Sequence, residues 1–167
     1  MTLFLLNIVL AFIWAAINGT FSIASVLIGF LLGYIIIWIA SPVIDHDDYH
    51  RKLWLIVALI FYFLKELFIS SLRVAKDVLT PGELKMKSGI VALPLEVKSD
   101  FAITFLANMI SLTPGTLSLD VSEDRSKLFI HAMYIDNGDV ESVRRELKNG
   151  MEQKVITTFG IGKAPLY

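Results

Sequence analysis

The first 44 residues alternate nothing: Leu, Ile, Phe, Trp, Val and Ala follow one another with no charged side chain until Asp45. A water-facing surface needs charge, whereas hydrocarbon accepts such a run, and one helical crossing takes about 20 apolar residues. Asn18-Gly19-Thr20 interrupts the run with turn chemistry, since Asn and Gly both tolerate positive φ. The pattern predicts an apolar hairpin, with helices over 3–17 and 21–40. Ser25, Gly29 and Gly33 place a small residue at every fourth position of the second helix, a stripe that lets another backbone approach closely in lipid.

Ser41-Pro42 ends that helix, and a polar stretch from Asp45 to Lys52 follows. Residues 53–79 then read as one long helix without Pro or Gly. Leu53–Leu64 is apolar throughout; Lys65-Glu66 and the end carrying Arg73, Lys76 and Asp77 are not. Twelve residues rise about 18 Å, short of the hydrocarbon core, so the reading here is a third span over 53–72 that carries Lys65 and Glu66 in its inner half. Ionisable groups inside a span are functional candidates. The competing reading is an interfacial ion pair with a neighbouring subunit.

After Thr80-Pro81-Gly82 the pattern changes to that of a small α+β unit in the order β-α-β-β-α, resembling a truncated ferredoxin-like fold. Strands are expected over 89–97, 116–121 and 127–135, and helices over 100–111 and from Asp139 to Gly160. Ser99 suits the N-cap of the first helix, Thr113-Pro114-Gly115-Thr116 suits a type II turn, and Val140, Val143, Leu147, Met151 and Val155 form one stripe of the last helix. The expected architecture is therefore a transmembrane domain over 1–80 and a cytoplasmic α+β domain over 84–160.

Charge adds orientation. Arg73, Lys76, Lys85 and Lys87 follow the third apolar segment, while only Arg51 and Lys52, beside three Asp, precede it, so the C-terminal side belongs in the cytoplasm. Three crossings then put the N-terminus outside. The start, Met1-Thr2-Leu3, lacks a basic signal-peptide region, so the first run is expected to stay as an anchor. A net charge of −1 gives no footprint for nucleic acid, and the absence of Cys excludes disulfides, thiolate metal sites and thiol nucleophiles.

Candidate chemistry is sparse. Asp45, His46, Asp47, Asp48 and His50 match no metal-ligand spacing, His131 is a lone strand histidine, and no nucleophile elbow or phosphate loop is present. No metal and no cofactor is expected. The helix over 101–112 has almost no polar face, so Phe101, Phe105 and Met109 are candidates to face a partner or the membrane.

The segment Leu106-Ala107-Asn108-Met109-Ile110-Ser111-Leu112-Thr113-Pro114-Gly115-Thr116 resembles the E subunit of Mrp (Mnh) multisubunit Na+/H+ antiporters. Ser99-Asp100, Leu119-Asp120-Val121 and Leu128-Phe129-Ile130-His131-Ala132 share the likeness, which covers most of the chain. The resemblance implies an accessory subunit of a cell-membrane complex, with other membrane subunits and the bilayer as partners and the ion pathways elsewhere. The matching turn, Thr113 to Thr116, is structural and transfers no catalytic residue. The expected function is thus non-catalytic: assembly and stability of a cation (Na+)/proton antiporter, and not an enzyme. Two alternatives differ in their requirements. A membrane-anchored ligand-binding or enzymatic module needs a cluster of convergent polar groups in the C-terminal domain, and a self-assembling channel needs polar residues along one face of a span.

Overall fold

The computed structural model describes residues 2–40, 49–80, 87–135 and 138–160. The polar loop from Asp45 to Asp48, the helix end at Ser41-Pro42, the Pro81-Gly82 break, Lys85 and the turn residue Asn137 lie outside the described residues. The chain forms two compact units, residues 1–54 and 55–167.

The first unit is a helical hairpin. Helix α1 (Thr2–Ile17) and helix α2 (Ile23–Ala40) are joined at Asn18-Gly19. Gly19 has φ +64°, and the Asn18 side chain donates to Trp14 O at 2.8 Å, closing the end of α1. Ser25, Gly29, Gly33 and Ile37 are the buried residues of α2. They meet an equally small surface on α1, where Ala11 and Ala15 are buried. Helix α3 (Tyr49–Leu79) starts in this unit, with Tyr49 packed beside Leu3 and Ile37.

The second unit is built on a three-stranded antiparallel sheet, β1 (Gly89–Pro94), β2 (Thr116–Val121) and β3 (Lys127–Ala132), in spatial order β1-β3-β2. Alternation sends Val91, Leu93, Leu128, Ile130 and Ala132 into the core and leaves Ile90, Leu117 and Leu119 exposed on the other face. A bulge between Ser118 and Asp120 shifts the register of β2. Helix α4 (Asp100–Leu112) buries Ala102, Ile103, Leu106, Met109 and Ile110. Ser99 caps it by accepting from Ala102 N at 3.2 Å. Ser118 then ties β2 to α4: its N–H donates to Ser111 Oγ at 3.0 Å and its hydroxyl to Ala107 O at 3.0 Å.

The last helical stretch is not one α-helix. It runs as α5 (Val140–Leu147), a π-helical turn (Lys148–Glu152) and α6 (Gln153–Phe159). The stripe still closes the core through Leu147, Met151 and Val155. Gly150 stands in the wide turn, where an added Cβ would lie 2.5 Å from Tyr62 Oη of α3. The first strand also ends earlier than its apolar run, which continues to Val97. Beyond Pro94 the backbone leaves β3 for other partners: Leu95 N donates to Ser126 O at 2.8 Å, and the next two N–H groups donate to a buried carboxylate described below.

Leu59 of α3 is buried in this core, with Tyr62 and Phe63 packed against it. At these positions α3 touches the α+β unit, while Ile56, Ile60, Phe61, Leu64 and Phe68 stay exposed.

Candidate functional site

The sequence places its candidates in four groups, and the second unit draws two of them together. A cavity of about 100 Å³ lies between α3, the turn after α4 and α5. Glu66, Ser70 and Arg73 line it from α3, residues 113–116 from the turn, and Glu146 from α5. Glu66 is half-buried there, while Lys65 is exposed, so the adjacent charges point into different surroundings. This follows from helix geometry, since neighbours along a helix diverge by about 100°.

The turn is a compact folding device. Thr113 Oγ1 donates to Met109 O at 2.9 Å and its N–H to Ile110 O at 3.1 Å, which satisfies carbonyls left over at the end of α4. Thr116 N donates to Thr113 O at 3.2 Å, closing the turn, and Thr116 Oγ1 donates to Ile110 O at 2.6 Å. Gly115 has φ +99°, the value the third position of a type II turn requires, with Pro114 before it. An added Cβ at Gly115 would also lie 3.1 Å from the Tyr134 ring. Every polar side chain of the turn is thus engaged with backbone groups.

Tyr134 closes one side of the cavity, with Arg73 above its ring at 5.5 Å. The neighbouring Asp77 carboxylate is the main reason that its phenol titrates above the ordinary value; burial adds to this and Arg73 opposes it. Asp77 stands outside hydrogen-bonding geometry, however, and the buried Tyr134 Oη has no partner among the described residues.

The small-residue stripe meets α1 of the same chain. A Cβ at Gly29 would lie 2.8 Å from Ala11 O and 2.9 Å from Trp14 Cβ; one at Gly33 would overlap Asn7 Oδ1. Asn7 is wholly buried, and its amide donates to Tyr49 Oη at 2.7 Å. Asn7 stands out in the sequence as a polar residue in an apolar run, but Tyr49 carries no signal because it sits 42 positions away.

The three candidates on α4 divide. Met109 is buried in the core, Phe105 is half-buried, and Phe101 is exposed. Phe101 stacks on Phe105 with centroids 6.0 Å apart, and both rings meet Phe159 edge-on at 5.2 Å.

Two features leave little sign in the sequence. Glu152 is 1% exposed. Its carboxylate accepts from Glu96 N at 2.5 Å, Val97 N at 3.2 Å and Lys148 Nζ at 3.2 Å, and so pins the π-helical turn to the chain between β1 and α4. Arg144 Nε and Lys148 Nζ donate to Ala92 O and Pro94 O, each at 2.9 Å, covering carbonyls of the edge strand β1. The i,i+4 pair Lys148–Glu152 beside Met151 is the available signal, but a Glu next to an apolar stripe reads as surface. Among the described residues no group of three or more His, Asp or Glu is arranged to hold a metal ion.

Comparison with known proteins bears on this arrangement directly. A family model described as "Na+/H+ ion antiporter subunit" matches residues 7–158. The Na+/H+ antiporter E subunit of Alkalihalophilus pseudofirmus is 37% identical over 152 residues, covering 91% of this chain and 94% of that protein. The E subunit of the Bacillus subtilis antiporter is 37% identical over 151 residues, 90% of this chain and 94% of its own. Among solved structures, a chain of the membrane-bound sulfane sulfur reductase, an archaeal respiratory membrane complex, has a TM-score of 0.59 at 27% identity, covering 95% of this chain and 100% of that one. The chain belongs to the family of Na+/H+ antiporter E subunits.

Proposed function

We propose that this chain is a non-catalytic accessory subunit of a membrane-bound cation (Na+)/proton antiporter complex, where it supports assembly and stability. The observation that carries this reading is the use of the turn Thr113-Pro114-Gly115-Thr116: its hydroxyls and N–H groups are committed to ending α4 and shaping the turn, a folding role and not a reactive one. The apolar hairpin over 3–17 and 21–40 anchors the chain in the cell membrane, and α3 adds the exposed side of its 53–72 segment. The α+β domain over 84–160 faces the cytoplasm, in keeping with the excess of Lys and Arg after residue 72. Its partners are the other membrane subunits of that complex and the bilayer itself. Glu66, in the cavity it shares with Arg73 and Glu146, acts in domain stability and not as an ion carrier.

Two measurements test the proposal. The isolated protein in liposomes should leave an imposed pH gradient unaffected by Na+. Deletion from its host should reduce Na+ tolerance at alkaline pH and lower the yield of the assembled complex. Na+-dependent proton movement by the subunit alone would falsify the accessory role, and an intact, fully active complex without it would remove the assembly role.

A further inference from the structure

In the second unit α3 has two unlike faces. Leu59, Tyr62 and Phe63 lie against the α+β core, while Phe61, Leu64, Phe68 and Leu72 are exposed. Where α3 meets α4, a groove of about 460 Å³ opens, lined by Ile56, Ile60 and Leu64 of α3 and by Phe105, Leu112 and Phe159. Among the described residues Asn108 is its one polar side chain and no charged residue lines it. Leu112 and Phe101 carry the apolar surface on along α4, both more than half exposed.

We propose that this groove and the adjoining outer face of α4 lie in the acyl region of the bilayer, and that the groove takes a phospholipid acyl chain. Three observations favour lipid as the occupant. The groove is continuous with the exposed apolar side of α3, a helix long and apolar enough to enter a membrane. Protein–protein patches carry a polar, partly charged rim, and among the described residues this lining has one amide and no charge. The volume falls within the roughly 300–1,000 Å³ of small-molecule sites, with walls suited only to a hydrocarbon. In water the same surface would be an apolar patch of the kind soluble proteins avoid. The inference rests on the membrane attachment proposed above and extends it from the hairpin to the α+β domain.

The chain has no Cys, so single-cysteine spin labelling needs no prior substitution. Leu112→Cys and Ile60→Cys, both exposed sites, are compared with Asp124→Cys on the turn between β2 and β3. Each is labelled in the full chain within its native membrane complex, and relaxation by oxygen and by a water-soluble nickel chelate is measured. The oxygen-to-nickel accessibility ratio at positions 112 and 60 should exceed that at 124 several-fold. Labels at 112 and 60 reached by the nickel chelate would overturn the proposal, as would labels shielded from both reagents, the signature of a protein partner. Alkaline-carbonate extraction of the same variants tests the attachment separately. Loss to the supernatant breaks the membrane reading itself, whereas retention with nickel-accessible labels breaks only the groove.

Discussion

Replacing Gly33 by Ala puts one methyl group where Asn7 Oδ1 already sits, with Leu10 Cβ 3.2 Å away. Asn7 has to swing aside and lose its 2.7 Å hydrogen bond to Tyr49. Interhelical hydrogen bonds in lipid contribute about 0.6 kcal/mol on average and up to about 1.7, and overpacking costs roughly 1–3 kcal/mol. A loss of about 2–4 kcal/mol in hairpin stability is expected. Gly29→Ala should cost at least as much for a different reason: its methyl meets the backbone of Ala11, at 2.8 Å from O and 2.9 Å from Cα, which cannot rotate away. The two substitutions therefore part company when Asn7 is removed. Asn7→Ala alone should cost about 1–2 kcal/mol for the lost hydrogen bond and small void. Combined with Gly33→Ala it should cost little more, a coupling of roughly 1–3 kcal/mol. Combined with Gly29→Ala the losses should add. Energy transfer between dyes on Leu5→Cys and Ile39→Cys, followed through an SDS titration, reads hairpin opening in every background. Both sites are exposed, and neither is in the stripe. Equal relief of both glycine variants by Asn7→Ala, or relief of neither, would refute the contact-level account.

Glu152→Ala should cost about 3–5 kcal/mol by thermal unfolding, because it strands two backbone donors and Lys148 around a dry site, whereas Glu152→Gln should cost about 1–3; equal and small losses would mean that water replaces the carboxylate. Arg144→Ala should cost roughly 1–2 kcal/mol and promote concentration-dependent association by uncovering an edge-strand carbonyl, and an unchanged sedimentation profile with unchanged stability would count against edge protection. The Asp124 carboxyl is held down to about 2 by the Ser122 and Ser126 hydroxyls and the Ser126 N–H. Its folded value lies below its ordinary one, so its contribution is complete above about pH 4 and is lost as pH falls toward 2; a carboxyl NMR titration with its midpoint near 4 would contradict this.

What is legible in the sequence is whatever local pattern encodes. The absence of charge before Asp45, broken once at Asn18-Gly19, is enough for a hairpin. Thr113-Pro114-Gly115-Thr116 carries its turn type in its own residues, because only Gly tolerates the φ of +99° found at position 115. The apolar pattern starts α3 at Leu53, yet the helix begins at Tyr49, since Tyr49 to Lys52 continue the polar composition of the loop while forming the first turn of a helix. Long-range pairings leave no such trace. Glu152 reaches donors more than 50 residues upstream, and Asn7 finds Tyr49 across the unit. The π-helical turn is hidden because the i+4 spacing of Leu147, Met151 and Val155 suits a single α-helix as well. The exposed Phe101 and the buried Met109 are two turns apart on one apolar helix, and periodicity alone cannot rank its faces when all of them are apolar.

That same ambiguity governs α3, and labelling decides it. Hydropathy reads 53–72 as a third crossing. A crossing helix is ringed by lipid or by other membrane helices, yet from Leu59 to Arg73 one side of α3 carries the α+β unit, whose sheet edges and charged helix α5 belong in water. The fully apolar part before Lys65 is about 18 Å long, well short of the roughly 30 Å hydrocarbon core. Lys65 is exposed and Glu66 is half-buried in a cavity that Arg73 and Glu146 also line, so a place at the membrane edge suits both. A helix embedded by one face accounts for all three observations. By length and apolarity alone α3, like α2, could cross a membrane; if it lies by one face instead, the hairpin makes two crossings and the count is not three. With the Lys and Arg after residue 72 in the cytoplasm, an even count would put the N-terminus there as well, and three crossings would put it outside. A cysteine appended before α1 and one at the exposed Val78 should both resist an impermeant maleimide in spheroplasts and both react in inverted vesicles. Labelling of the N-terminal cysteine from outside, with Val78→Cys reached only from inside, would restore the third crossing and take the α+β unit off the side of α3.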